Sequence, residues 1–195
     1  MNSDIVYWPS CPTKRHRWLA QFNLEIQDNL KERIIISMQQ DMLSSMQEKE
    51  RIELIESLTN TIYPLYFYIQ MPDFYLEEFE LLFNNQNNEY EIVYEMESNY
   101  FLNLTVKDSC NLNIIMKELS WLNSSGYMLM WSTNLFIFNH ESEKKVVMKE
   151  NQTLFMIGEP EDILIIITNE NRFSSFKKLK EVLPSFIVPT LYEHE

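Results

Sequence analysis

Apolar positions change their period several times along this chain, and each change marks an element. Between Arg17 and Ile26 the residues Trp18, Ala20, Phe22, Leu24 and Ile26 alternate with Arg17, Leu19, Gln21, Asn23 and Glu25, the two-residue period of a strand. From Asn29 to Asn60 the spacing lengthens. Ile34, Ile35, Met38, Met42 and Met46 recur every three or four residues, as do Ile52, Ile55, Leu58 and Ile62. That period predicts two amphipathic helices, with Ser45 and Glu48 as a capping box where they part. The methionine stripe reads as core filler, because an unbranched thioether fits irregular gaps.

After Ile62 the chain becomes sheet-like. Tyr63 to Gln70 predicts an aromatic strand, and Pro64 places its beginning or an edge there. Met71-Pro72-Asp73 opens a short helix through Phe83, with Asp73 as its N-cap. Glu89 to Glu97 and Tyr100 to Val106, parted by Ser98-Asn99, form a hairpin candidate. Asp108 or Ser109 caps a helix with apolar positions Leu112, Ile115, Met116, Leu119 and Leu122, stopped near Gly126. A meander follows, in which the continuous apolar run Ile163 to Thr168 reads as a central strand. A last helix spans about Arg172 to Leu183, leaving a short tail from Phe186 to Glu195. The expected fold class is α+β, an antiparallel-dominated sheet with helices packed on one face and an N-terminal helical pair. One domain is expected over residues 1–195, with a helical layer over about 28–60 and a sheet-rich remainder over about 61–195.

Composition removes whole classes of function. With two glycines, Gly126 and Gly158, the chain cannot assemble a dinucleotide fingerprint, a P-loop or a kinase Gly-rich loop. Asparagine takes over at turns, most densely at Asn84, Asn85, Asn87 and Asn88. Cys11 and Cys110 make no disulfide framework and read as reduced thiols. Residues 1–10 lack a basic region before an apolar run, and no stretch reaches about 18 uninterrupted apolar residues. A cytoplasmic protein with no membrane partner is expected.

Charge is the feature that is not generic. Sixteen basic residues against 29 acidic ones give a net charge of -13, and the imbalance is local. Between Arg51 and Lys107 there is no Lys or Arg, while Glu53, Glu56, Asp73, Glu77, Glu78, Glu80, Glu89, Glu91, Glu95 and Glu97 supply ten acids. The rest of the chain, with 19 acids and 16 bases, is nearly balanced. The same segment holds twelve of the 26 aromatic residues, so acids and rings are interleaved.

If Glu89 to Glu97 is a regular strand, Tyr90, Ile92, Tyr94 and Met96 share one face, and Glu89, Glu91, Glu95 and Glu97 the other, with Val93 among them. Successive carboxylates on that face then stand about 7 Å apart, a spacing of the same order as phosphates along a nucleic-acid strand. This row, beside Glu77, Glu78 and Glu80, is the candidate partner-binding surface, and Tyr75, Tyr90 and Tyr94 are the candidate anchors. A strand with one wet face, whose glutamates blunt an edge, accounts for the same pattern.

Catalytic chemistry is sparse. His16, His140 and His194 lie in no metal-binding spacing, and Cys110 with His140 is one example of the several Cys-His pairs that two cysteines and three histidines offer. Asp73 with Glu143-Lys144-Lys145 mimics a nuclease Mg²⁺ site only weakly, and no EF-hand loop is present. No catalytic residues, no metal and no cofactor are expected. In charge habit and size alone, without a motif, the chain resembles small acidic inhibitors of basic enzymes, such as immunity proteins and nucleic-acid mimics. That resemblance implies a non-catalytic protein that occludes a basic partner acting on nucleic acid, with no direct nucleic-acid contact of its own. Two other readings stand beside it: a small cytosolic enzyme with a Cys/His site, and a homo-oligomeric module that buries its aromatic strands against a copy of itself.

Overall fold

The computed structural model describes residues 2–8, 25–27, 34–39, 46–85, 88–96, 98–125, 127–139, 145–158 and 163–193. In chain order these form β1 (Asn2–Trp8), β2 (Glu25–Gln27), β3 (Ile34–Gln39), α1 (Glu48–Thr59), β4 (Leu65–Pro72), α2 (Asp73–Asn85), β5 (Glu89–Met96), β6 (Asn99–Val106) and α3 (Ser109–Ser124). They continue as β7 (Leu129–Ser132), β8 (Ile137–Asn139), β9 (Lys145–Val147), β10 (Thr153–Gly158), β11 (Ile163–Thr168), α4 (Phe176–Val182) and β12 (Val188–Glu193). The fold is α+β. Nine strands make a mostly antiparallel mixed open sheet in the order β12-β1-β3-β11-β10-β7-β4-β6-β5, in which β1 and β12 run parallel. A three-stranded sheet holds β2, β9 and β8.

Strand alternation sorts the apolar residues into two layers. Leu65, Phe67, Ile69 and Met71 of β4, Leu102 and Leu104 of β6 and Leu129 and Trp131 of β7 join one buried cluster. Leu54 and Leu58 of α1, Phe79 and Phe83 of α2, Leu112 and Leu119 of α3 and Leu179 of α4 belong to it as well. The intervening positions, among them Tyr68, Phe101, Met130, Met156 and Ile165, build a smaller cluster on the opposite face with Phe136 and Met148, and no helical residue joins it among the described residues. β11 is buried on both faces at Leu164 to Ile167, as its unbroken apolar run predicts.

The N-terminal helical pair is corrected by the structure. Ile34 to Gln39 is a strand that pairs with β1 on one side and β11 on the other, and among the described residues of this region the helix is α1. Ile34, Ile35 and Ile36 are three successive β-branched residues, stiff at χ1 and suited to a pleated surface. Ile36 and Met38 alternate into the core, a two-residue period that the three-to-four spacing of Ile35 and Met38 concealed. The capping box also moves: the Gln47 N–H donates to the Glu50 carboxylate at 2.8 Å. The tail is corrected too, since residues 188–193 form β12 at the sheet edge. Residues 29–33, residues 41–45 and most of the strand expected at Arg17 to Ile26 lie outside the described residues.

At one end of β10 and β11 a ring of polar groups is built around the buried Thr153 and Thr168. The Glu170 N–H donates to Thr168 Oγ1 at 3.0 Å, and Thr168 and Thr153 share a hydroxyl contact of 2.7 Å. Thr153 donates to Glu170 Oε1 at 2.5 Å, and Arg172 Nε holds Glu170 Oε2 at 2.7 Å. Thr153→Val keeps the shape but takes one hydrogen-bond partner from Glu170 Oε1 and one from the Thr168 hydroxyl. A loss of about 1–3 kcal/mol is expected in urea unfolding, and a value near zero would mean that the ring contributes nothing.

Candidate functional site

Most of the acids of the base-free segment lie in one corner of the molecule, made of α2, β5 and β6. Phe79 and Phe83 turn inward from α2, their centroids 3.7 Å apart and edge to face, and Phe83 meets the Tyr90 ring of β5 at 5.9 Å. The opposite side of α2 presents Phe74, Glu77, Glu78 and Leu81, spaced i, i+3, i+4, i+7, so that they share one exposed stripe. Phe74 is 73% and Leu81 65% exposed, an apolar pair flanking two carboxylates.

Several acids find their partners within the fold. The Tyr90 hydroxyl donates to Glu80 Oε1 at 2.8 Å, and the Tyr63 hydroxyl donates to Glu56 Oε1 at 2.8 Å. The interleaving of acids and rings thus gives carboxylates neutral phenol donors inside a segment that has no bases. The bond to Glu80 and partial burial hold the Tyr90 phenol above its ordinary range. Tyr75 is half-buried, with its ring 6.3 Å from Phe79. Tyr90→Phe is expected to cost about 0.5–1.5 kcal/mol at neutral pH. Because the folded-state pKa is raised, this stabilisation is present below the unfolded tyrosine value of about 10 and is lost as pH rises through the folded value. Thermal unfolding of both proteins from pH 8 to 11 should show the difference shrinking, and a constant difference would refute the assignment.

A β-bulge breaks the expected row of four glutamates. Glu89 pairs with Thr105, Tyr90 with Leu104, Glu91 with Asn103 and Ile92 with Leu102, but past Val93 the register shifts, so that Tyr94 pairs with Phe101 and Glu95 with Tyr100. Paired residues share a face. Glu89 and Glu91 therefore stand on the face opposite the helices, whereas Glu95 lies with Tyr100 on the helix-bearing face. Glu97 lies outside the described residues. The consecutive apolar pair Ile92-Val93, out of step with strict alternation, was the signal for this bulge.

Two residues of this corner were not singled out from the sequence. Lys107 Nζ bridges Glu89 Oε1 at 2.7 Å, an exposed pair of small energetic weight. Asn103, only 7% exposed, donates through Nδ2 to Glu91 Oε1 at 3.3 Å. An amide buried within the apolar run Leu102-Asn103-Leu104 was the available signal. Tyr68, which pairs with Asn103 in register, has its phenol pushed well above the ordinary range by burial, with the Glu91 charge adding to the effect and a backbone hydrogen bond to Phe136 opposing it.

Of the residues considered for catalysis, Cys110 is exposed in the first turn of α3, and His16, His140, His194, Glu143 and Lys144 lie outside the described residues. Among the described residues no three His, Cys, Asp or Glu side chains cluster as a metal site would require, and no helix is long and apolar enough to cross a membrane. Comparison with protein families, with curated proteins and with solved structures finds no match to this chain.

Proposed function

We propose that this chain is a non-catalytic acidic binding protein, of the inhibitor or immunity type, whose α2–β5 corner docks on a basic partner and occludes a site that acts on nucleic acid. One observation carries this reading. Of the ten acids in the base-free segment, four lie on α2 and three on β5, two elements in contact with each other. A concentrated negative field speeds encounter with a basic surface and repels nucleic acid. Phe74 and Leu81, exposed beside Glu77 and Glu78, add the apolar area that the centre of an interface needs.

The test is affinity capture from the source cell's lysate at about 0.01 M and about 1 M ionic strength, where charges are screened over roughly 30 Å and 3 Å. The expected result is a stoichiometric basic protein held at low salt, released at high salt and lost with Glu77→Lys/Glu78→Lys. Capture indifferent to salt and to the reversal would overturn the proposal.

A further inference from the structure

Glu91 and Asn103 carry an inference that rests on the docking proposal and specifies what the corner accepts. Asn103 uses its Nδ2 on Glu91, and its Oδ1 is buried with no hydrogen-bond partner. The orientation of this amide follows from chemistry, because the reverse would set two acceptors against each other. An orphaned buried acceptor costs free energy comparable to its desolvation, which a donor brought by a partner would recover. Here the orphan belongs to the same amide group that reaches Glu91, which places an unsatisfied carbonyl oxygen and a carboxylate side by side. Both are acceptors. The chain itself shows what such a place takes: Glu89, two residues earlier on the same face, is satisfied by the ammonium of Lys107, whereas the donor that reaches Glu91 is a neutral amide.

We infer that Glu91 and Asn103 form a notch on the face of the β5–β6 hairpin opposite the helices, and that it takes an arginine guanidinium from the basic partner. A guanidinium offers a rigid planar fork of N–H donors, which fits two neighbouring acceptors of different geometry, whereas an ammonium is a point charge that one carboxylate already satisfies. A divalent metal ion is the poorer match, since Ca²⁺ takes six to eight oxygen ligands and the notch supplies few. Buried Tyr68 and Phe101 on the same face lower the local dielectric, which strengthens a charge-assisted bond made there. Glu91 is exposed, and an exposed side chain changes rotamer in picoseconds to nanoseconds, so its carboxylate is free to turn toward an incoming donor.

Hexa-arginine and hexa-lysine peptides test this directly, titrated at low ionic strength into the ¹⁵N-labelled protein while the Asn103 side-chain amide resonances are followed. Hexa-arginine should bind roughly tenfold more tightly than hexa-lysine, the factor equivalent to one extra directed bond of about 1.4 kcal/mol, and should shift the Asn103 amide pair. Glu91→Gln, an exposed substitution that leaves the core intact, should bring the ratio of the two affinities to about one, while Glu77→Gln on α2 should leave the ratio unchanged. Equal, salt-sensitive binding of both peptides with unmoved Asn103 resonances would overturn the notch and leave the docking proposal standing. Binding of neither peptide would overturn the notch and also remove the electrostatic basis of docking.

Discussion

Trp131→Ala is expected to destabilise the protein by about 3–5 kcal/mol, while Trp131→Phe should cost far less. Trp131 is 1% exposed at the middle of the large sheet, where Phe67, Trp131 and Phe155 pair in register across β4, β7 and β10. Its ring lies 5.8 Å from Phe67 and 5.4 Å from Phe155, at interplanar angles of 16° and 12°. Alanine removes the middle of this stack and leaves a void that neighbouring strands cannot close, because their positions are set by backbone pairing on both sides. A domain with about 5–15 kcal/mol of total stability would lose a large share of it. Phenylalanine keeps an aromatic ring between the other two. It also removes the indole Nε1–H, which is buried without a partner. The burial of such a donor costs about 1–3 kcal/mol, and its removal offsets much of the smaller void that phenylalanine leaves. Equilibrium urea unfolding of both variants measures the contrast. Equal losses for Ala and Phe would show that a phenyl ring at this position gains nothing over a methyl group and that removing the unpaired N–H brings no offset.

How much was legible in the sequence depended on whether local and tertiary preferences agreed. At α3 they agreed: Leu112, Ile115, Met116, Leu119 and Leu122 are all buried, and Asp108 accepts a hydrogen bond from the Asn111 N–H at 2.8 Å, as a capping residue should. The β5–β6 hairpin and the central place of β11 were legible for the same reason. At Ile34 to Gln39 two periods were compatible with the same apolar residues. The choice fell to sheet partners far away in sequence, β1 and β11, which no local window contains. The candidate site divided along the same line. That the acids gather in one corner follows from their nearness along the chain, through α2 and β5. Which of them share a face does not, because one bulged residue at Val93 reverses the facing of everything after it. The role of Asn103 was hidden for a further reason. Its meaning lies in an unmade hydrogen bond, and a sequence records residues without recording which of their atoms go unsatisfied.

That bulge leads to the last prediction, which separates steering from contact. Glu91→Lys and Glu95→Lys change net charge by the same amount at positions four residues apart, so they alter the long-range field almost equally. Each should slow association with a basic partner by a similar factor, on the order of tenfold at low salt, and the effect should fade as added salt shortens the screening length. Dissociation should tell them apart. Glu91 stands on the face opposite the helices beside Asn103, while Glu95 stands on the other face with Tyr100. If docking uses the Asn103 face, Glu91→Lys sets a cation against the partner's cation at short range. The cost of about 2 kcal/mol, at the lower end for a hydrogen-bonded charge pair, corresponds to roughly thirtyfold faster dissociation. Glu95→Lys should leave the dissociation rate nearly unchanged. Stopped-flow association and chase-induced dissociation across a salt series, with the basic protein retained by affinity capture, give both rate constants for each variant. Equal effects on dissociation would mean that the edge of β5, and neither of its faces, makes the contact. A larger effect at Glu95 would confine the interface to the helix-bearing side, with Phe74, Leu81 and the carboxylates of α2, and would leave the Asn103 face out of it.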